Sequence, residues 1–261
     1  MGDTDGHTAR SAVGGAKQRR LRRIIRRDGH GVLVALDHAA YQGGGPSDVA
    51  VAAIAGGPLD AVLTTWHLAR VHAEAFADVG LVLRVDGGIS ELAGQASDDV
   101  SDQLYRADEA LRLGSDAVIT MVFPGAPDEA RSLVRLARLC AECEQVGLPV
   151  IAEVIPGGWA QAIPWTAENI ARGARIAVEL GADLVKTVCP TNTEQFAAVC
   201  DGCPAPVVAL GGPKMPSDDD VVAFARGVVA NGAAGIAFGR NVWGSPDPAK
   251  LLARLYEAVH A

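Results

Sequence analysis

Lysine is scarce in this chain. There are four, Lys17, Lys186, Lys214 and Lys250, against nineteen arginines. Where arginine supplies almost all of the positive charge, each remaining lysine has to be accounted for. Long apolar runs are missing too. None approaches the roughly eighteen residues that a membrane span needs, so no membrane partner is expected. The N-terminus has no apolar core of the kind a secretion signal carries, which points to the cytoplasm. A net charge of −8 leaves no surplus of positive charge for a general nucleic-acid binder. Five cysteines, an odd number, sit in apolar or helical contexts that suit reduced thiols. Cys140/Cys143 and Cys200/Cys203 each form a C-x-x-C, but they lie too far apart for a zinc ribbon. The first pair also falls inside a helical stretch. No metal is expected, and the thiols read as structural, with redox or metal roles as the lesser alternatives.

Within 261 residues, 49% of them hydrophobic, the chain fits one large α/β unit. Residues 1–18 are small, polar and glycine-rich, and are expected to form a disordered tail ahead of one domain over 19–261. QRRLRRIIRRDGH (18–30) carries Leu21, Ile24 and Ile25 on one face with six arginines around them. It reads either as a nucleic-acid or membrane arm or as a short amphipathic helix whose apolar face covers the bottom of a barrel. No aromatic residues interleave the arginines, as single-strand binding would favour, and the second reading is preferred.

From Gly31 a unit repeats. Apolar strands are expected at 31–38, 60–65, 81–86, 116–123, 148–155, 182–187, 205–210 and 233–239. Helices are expected at 47–55, 69–76, 100–113, 127–146, 167–180, 193–199, 217–231 and 248–259. Glycine marks several helix–strand joins, at Gly114, Gly147, Gly181 and Gly232. Strand–helix alternation specifies a parallel sheet with right-handed crossovers, and eight units close into a (β/α)8 TIM barrel with a short N-terminal helix.

A barrel's chemistry stands at the C-terminal ends of its strands. Those ends hold Asp37-His38, Trp66-His67, Asp86, Glu153, Lys186, Gly211-Gly212-Pro213-Lys214 and Gly239-Arg240-Asn241. Lys186 ends the buried run Leu184-Val185. A lysine there, facing a cavity, is expected to lose hydration and to show a lowered pKa, leaving an amine able to attack a carbonyl. The alternative is a stem packed on the barrel with its head in solvent. The other ionisable groups at the same mouth favour the nucleophile. LGGPK and FGRN put glycines where backbone N–H groups can approach an anion, with Lys214 or Arg240 as charged partner, although tight turns use glycine as well. Asp37 is the expected proton carrier at carbinolamine or hydroxyl oxygens, with loop capping as its alternative. Glu153 reads as a second acid/base with a raised pKa or as the partner of an arginine.

RLRRIIRRDGHGVLVALDHAAYQG, DAVITMVFPGAPDE, ADLVKT, VVALGGPK and GIAFGRNVW together resemble the archaeal-type class I fructose-bisphosphate aldolases and the related aminodideoxyheptulosonate synthases, over residues 19–259. The resemblance implies Schiff-base chemistry on Lys186, acid/base work by Asp37, and phosphate held by Gly211, Gly212, Gly239 and Arg240. It also implies a homo-oligomer, often a ring of ten subunits, and makes the arginine run the family's N-terminal helix. No cofactor is called for. One departure stands out: the family places Tyr-Pro-Arg-Gly at the end of strand five, the tyrosine donating a proton. This chain has Ile155-Pro156-Gly157-Gly158 there. Glu153, His38, His67 or Tyr41 would have to supply the proton. The expected function is therefore a biosynthetic class I aldolase joining a dihydroxyacetone-phosphate-type ketone to an aldehyde such as aspartate semialdehyde. Fructose 1,6-bisphosphate cleavage is the alternative, followed by thiolase-like acyl transfer on the same lysine or a non-catalytic sugar-phosphate-binding barrel.

Overall fold

Successive side chains of a strand point to opposite sides, so every second residue of a barrel strand enters the barrel. The computed structural model, which describes residues 14–88, 90, 92 and 101–261, shows this on eight strands. They are β1 (Gly31–Ala35), β2 (Ala61–Thr64), β3 (Gly80–Arg84), β4 (Ala117–Val122), β5 (Val150–Val154), β6 (Leu184–Thr187), β7 (Val207–Leu210) and β8 (Gly235–Phe238). They close in the order β1-β8-β7-β6-β5-β4-β3-β2, with parallel neighbours throughout. Leu33, Ala35, Leu63, Val82, Ile119, Ile151, Leu184 and Val208 fill the lower interior. Their alternates, such as Val32, Val34, Val62 and Val185, pack outward against the helices. The expected (β/α)8 barrel is what the chain forms.

The interior changes character toward the top. On β1 the inward series runs Leu33, Ala35, Asp37. On β3 it runs Val82, Arg84, Asp86; on β5 Ile151, Glu153; on β6 Leu184, Lys186. The apolar layers fix the strands, and the next position up carries the charge.

The bottom is closed from the N-terminus. The first helix, α1 (Gly15–Leu21), starts inside the expected tail, and residues 1–13 of that tail lie outside the described residues. It also ends before Ile24 and Ile25, so the arginine-rich stretch is only partly helical. Ile24 and Ile25 nevertheless join the barrel's interior cluster. Three aspartates just ahead of β2, β4 and β6 anchor the plug. Asp60, Asp116 and Asp183 accept the amides of Val32 (2.7 Å), Leu81 (3.0 Å) and Val150 (2.8 Å) on the preceding strands. The same carboxylates bind Arg26 (2.6 Å), Arg23 (3.0 Å) and Lys17 (3.0 Å). That accounts for one of the four lysines and part of the arginine run. Glycine is obligatory where plug and barrel meet, since a Cβ on Gly31 would lie 2.2 Å from the Ile24 carbonyl oxygen.

Ten further helices surround the sheet: α2 (Ala39–Gln42), α3 (Asp48–Ala55), α4 (Trp66–Val71), α5 (Ala107–Arg112), α6 (Glu129–Val146), α7 (Ala167–Glu179), α8 (Phe196–Asp201), α9 (Asp218–Ala230), α10 (Arg240–Trp243) and α11 (Pro248–His260). Two differ from expectation by more than their ends. α4 begins at Trp66 because Thr65 caps it, its hydroxyl accepting the Leu68 amide at 3.2 Å. The helix expected over 100–113 begins at Ala107, since Asp102–Gln103 pairs antiparallel with Asp86–Gly87 above the barrel. The short helices α2 and α10 follow β1 and β8 and were not expected.

Candidate active site

Glu153 and Lys186 are register partners on β5 and β6, so their side chains enter the barrel side by side. Lys186 Nζ lies 2.6 Å from Glu153 Oε1. Both are buried, and burial of a charge is tolerable only when it is paired. The lysine expected to face an uncharged cavity is instead an ion-paired one. Glu153 is held from its other side by Arg84, whose Nη2 donates to Oε2. Burial by itself would push the Glu153 carboxyl up. The charges of Lys186 and Arg84, and their hydrogen bonds, outweigh that and hold it down at about 2. The arginine-partner reading of Glu153 is therefore the one the structure supports, and the raised pKa is not.

Arg84 joins the cluster. Its Nε donates to Asp37 Oδ2 at 2.8 Å and its Nη1 to Asp86 Oδ1 at 3.2 Å. Asp86 is completed by Ser101 Oγ and the Met121 amide, both at 3.0 Å, and by Arg135 Nη2 at 3.4 Å. Three carboxylates are thus matched by three cations within the barrel's top layer. Among them Asp37 Oδ1 has no hydrogen-bond partner among the described residues and lies 3.7 Å from His38 Nδ1. A buried carboxylate oxygen left open at a strand end is available to a substrate hydroxyl. Arg84 and Arg135 were missed in the sequence. An arginine inside the apolar strand LVLRVD, at an inward-facing position, was the signal for the first.

A cavity of about 440 Å³ lies above this layer. It is lined on the β1, β7 and β8 side by His38, Tyr41, Gly211, Gly212, Gly239 and Arg240. Lys186 and Glu153 are in its wall, while Met121, Gln161, Trp159 and Trp165 line the β4 and β5 side. Asp37 reaches it through His38 and Arg84. Gly239 must be glycine: a Cβ there would lie 2.5 Å from His38 Cε1. The glycine loop after β7 is stapled by buried Asn241, which donates to the Gly211 carbonyl (3.0 Å) and accepts the Met215 amide (2.8 Å). Arg240 leans over this loop, 3.4 Å from the Gly212 carbonyl. Lys214 does not line the cavity. It donates to the Gly244 carbonyl at 2.6 Å, tying the β7 loop to the end of α10.

Of the proton carriers considered for the absent tyrosine, two stand at the cavity. His38 is pulled below its ordinary pKa, by burial first, with Asp37 opposing and Lys186 and Arg240 adding to the effect, so its ring is neutral at pH 7. Tyr41, on α2, has its ring 5.9 Å from that of His38. Burial first, then the charge of Asp37, raises its phenol well above the usual value, so it keeps its proton. His67 is exposed on α4 and does not line the cavity. Ile155 is wholly buried.

The cysteines play no part at this mouth. Cys140 and Cys143 are buried under Lys17's end of the barrel, and burial pushes the Cys140 thiol up to about 12. Buried, protonated thiols are inert.

A model of the DeoC/LacD family aldolases matches residues 30–245. The 2-amino-4,5-dihydroxy-6-oxo-7-(phosphonooxy)heptanoate synthase of Streptomyces griseus is 30% identical over 252 residues, covering 94% of this chain and 90% of that protein. The 2-amino-3,7-dideoxy-D-threo-hept-6-ulosonate synthase 1 of Archaeoglobus fulgidus is 31% identical, covering 94% and 91%. Among solved structures, an archaeal fructose-1,6-bisphosphate aldolase with its catalytic lysine bound to a carbinolamine intermediate superposes with a TM-score of 0.81 at 30% identity, covering 94% of this chain and 100% of that one.

Proposed function

This chain belongs to the DeoC/LacD family of aldolases, and from that we propose that it joins a phosphorylated ketone of the dihydroxyacetone phosphate type to an aldehyde through an imine on Lys186. The observation that carries the reading is the Lys186–Glu153 pair, 2.6 Å long and set in the wall of a cavity with a glycine-lined anion end. The lysine amine adds to the ketone carbonyl, and loss of water leaves an iminium, whose positive charge Glu153 and the neighbouring carboxylates favour. Loss of the proton on the carbon beside the iminium gives an enamine. That carbon bonds to the aldehyde carbon, the aldehyde oxygen takes a proton, and water hydrolyses the iminium to release product and free Lys186. The iminium is itself the electron sink, so the reaction calls for no metal or organic cofactor.

Arg240, with the backbone at Gly211, Gly212 and Gly239, is the proposed phosphate end. Lys214 supports that loop from behind. Asp37 Oδ1 handles the hydroxyl protons of the donor, and His38 and Tyr41 relay protons to and from the aldehyde oxygen. Two features favour synthesis over fructose 1,6-bisphosphate cleavage: Ile155 at the family's tyrosine position, and the resemblance to two synthases of phosphorylated seven-carbon products. An aspartate-semialdehyde-type acceptor belongs to this reading, as do a cytoplasmic location and a homo-oligomer. No helix among the described residues is long and apolar enough to cross a membrane.

Borohydride reduction in the presence of dihydroxyacetone phosphate tests it. A mass adduct is expected on the wild type and none on Lys186→Met; no adduct on the wild type, or one that survives the substitution, rejects the proposal.

A further inference from the structure

The reading of Lys186 as imine former leaves the second substrate undefined, and the barrel's own topology locates it. β6 carries Lys186. In the closed order, β7, β8 and β1 lie on one side of it and β5, β4 and β3 on the other. The anion end belongs to the first side, so a ketone phosphate imine on Lys186 points its phosphate that way. The aldehyde has to meet the carbon beside the imine from the remaining side.

That side is built by the segment that departs from the family, Ile155-Pro156-Gly157-Gly158, and by what it folds onto. Gly157 has φ +71° and a Cβ there would lie 2.5 Å from the Ile163 amide nitrogen, so only glycine lets the chain wind back on itself. The Gly157 amide is fixed on the Pro124 carbonyl at 2.7 Å, and its own carbonyl accepts the Ala162 amide at 2.9 Å. Trp165 Nε1 donates to the Pro156 carbonyl at 2.8 Å, and the Trp165 and Trp159 rings meet edge to face with centroids 6.5 Å apart. Between them Gln161 takes φ +52°, the one positive φ at a non-glycine residue among the described residues. Left-handed backbone at such a residue costs about 1 kcal/mol, and strain of this kind concentrates at functional sites. The result is a rigid wall of two indoles and an amide facing the cavity.

Charge separates the two ends of the cavity. Among the described residues that line it, Lys186 and Arg240 are the only cations, and Lys186 is paired with Glu153. The long loop after β3, residues 88–100, contains no lysine or arginine in its sequence. A phosphate at the β4–β5 end would meet indole, thioether and amide, with the carboxylate of Asp86 near by, and would lose hydration without compensation. A carbon chain would lie on the indole faces with its apolar surface removed from water. We propose that the Trp159–Gln161–Trp165 wall is the acceptor subsite and that it takes an unphosphorylated aldehyde.

The experiment gives the intact protein dihydroxyacetone phosphate and either glyceraldehyde or glyceraldehyde 3-phosphate, with products followed by mass. The unphosphorylated aldehyde is expected to be used at least tenfold more efficiently in kcat/KM. Trp159→Ala, at a ring already 40% exposed, is expected to raise KM for glyceraldehyde at least fivefold, the effect falling on the aldehyde and not on trapping of the donor. Equal or preferred use of glyceraldehyde 3-phosphate, no use of glyceraldehyde by protein that traps the donor, or an unchanged KM in Trp159→Ala overturns the subsite. Failure of the wild type to trap the donor overturns instead the imine reading on which it rests.

Discussion

Lys186 and Glu153 face each other across the β5–β6 pairing, and the ammonium and carboxylate meet at 2.6 Å. The carboxylate is in turn clamped by Arg84. The arrangement favours a cation on the lysine nitrogen before reaction and the iminium after it.

Glu153→Gln keeps the volume and removes the anion. A cation that loses its partner is easier to deprotonate, so the pH profile of donor trapping should move to lower pH by about one unit or more. The iminium loses the same partner, and turnover is expected to drop at least tenfold. Leaving Arg84 and Lys186 buried and uncompensated should also cost about 3–5 kcal/mol of stability, read from urea midpoints. An unmoved trapping profile would show that Glu153 is not the charge partner of the reacting nitrogen.

The same carboxylate sets the response to acid. Its folded-state pKa is held at about 2, below its ordinary 4.5. A group lowered by folding contributes stability that is complete above its unfolded value and is lost as pH falls through its folded one. The wild type should therefore hold its advantage over Glu153→Gln from neutrality to about pH 4.5 and lose it progressively toward pH 2. Paired urea titrations at pH 7, 4 and 3 check this. A difference that stays constant down to pH 3 contradicts it.

How far the sequence carries depends on whether a signal is local. The eight strands were legible because an apolar run buried on both faces needs no partner to be recognised, and Lys186 because lysine is rare there. The choice at Glu153 was not legible. Acid/base residue and arginine partner differ only in what faces it, and Arg84 is brought to it by closure of the barrel from β3. The same holds for Lys214, whose glycine-rich surroundings suggested a phosphate and whose ammonium turns to the Gly244 carbonyl. The helix over 100–113 failed for a related reason: the pairing of Asp102–Gln103 with Asp86–Gly87 overrides local propensity. At the N-terminus, Ile24 and Ile25 were rightly placed at the barrel bottom, although the helix stops before them, because burial of two isoleucines does not require helical backbone.

The proton that the aldehyde oxygen must gain gives the remaining prediction. Ile155 is buried and aliphatic, so nothing at the family's tyrosine position can donate. Glu153 is ionised at working pH and has no proton to give. His67 stands away from the cavity. That leaves β1's side of the mouth, where His38 is neutral and Tyr41 keeps its phenolic proton. A phenol with a raised pKa is a weak acid, yet it is still a stronger one than the alcohol formed when it protonates an alkoxide, so the transfer runs downhill. Tyr41→Phe removes the proton and keeps the ring against His38. Turnover should fall by about 10²–10⁴-fold, the usual worth of a positioned acid, while borohydride trapping of the donor continues, since imine formation precedes the step. His38→Gln, which removes the imidazole at similar bulk, should lower turnover as well and flatten the acidic limb of its pH profile. If Tyr41→Phe turns over like the wild type and His38→Gln does not, the imidazole alone carries the proton and Tyr41 only packs against it.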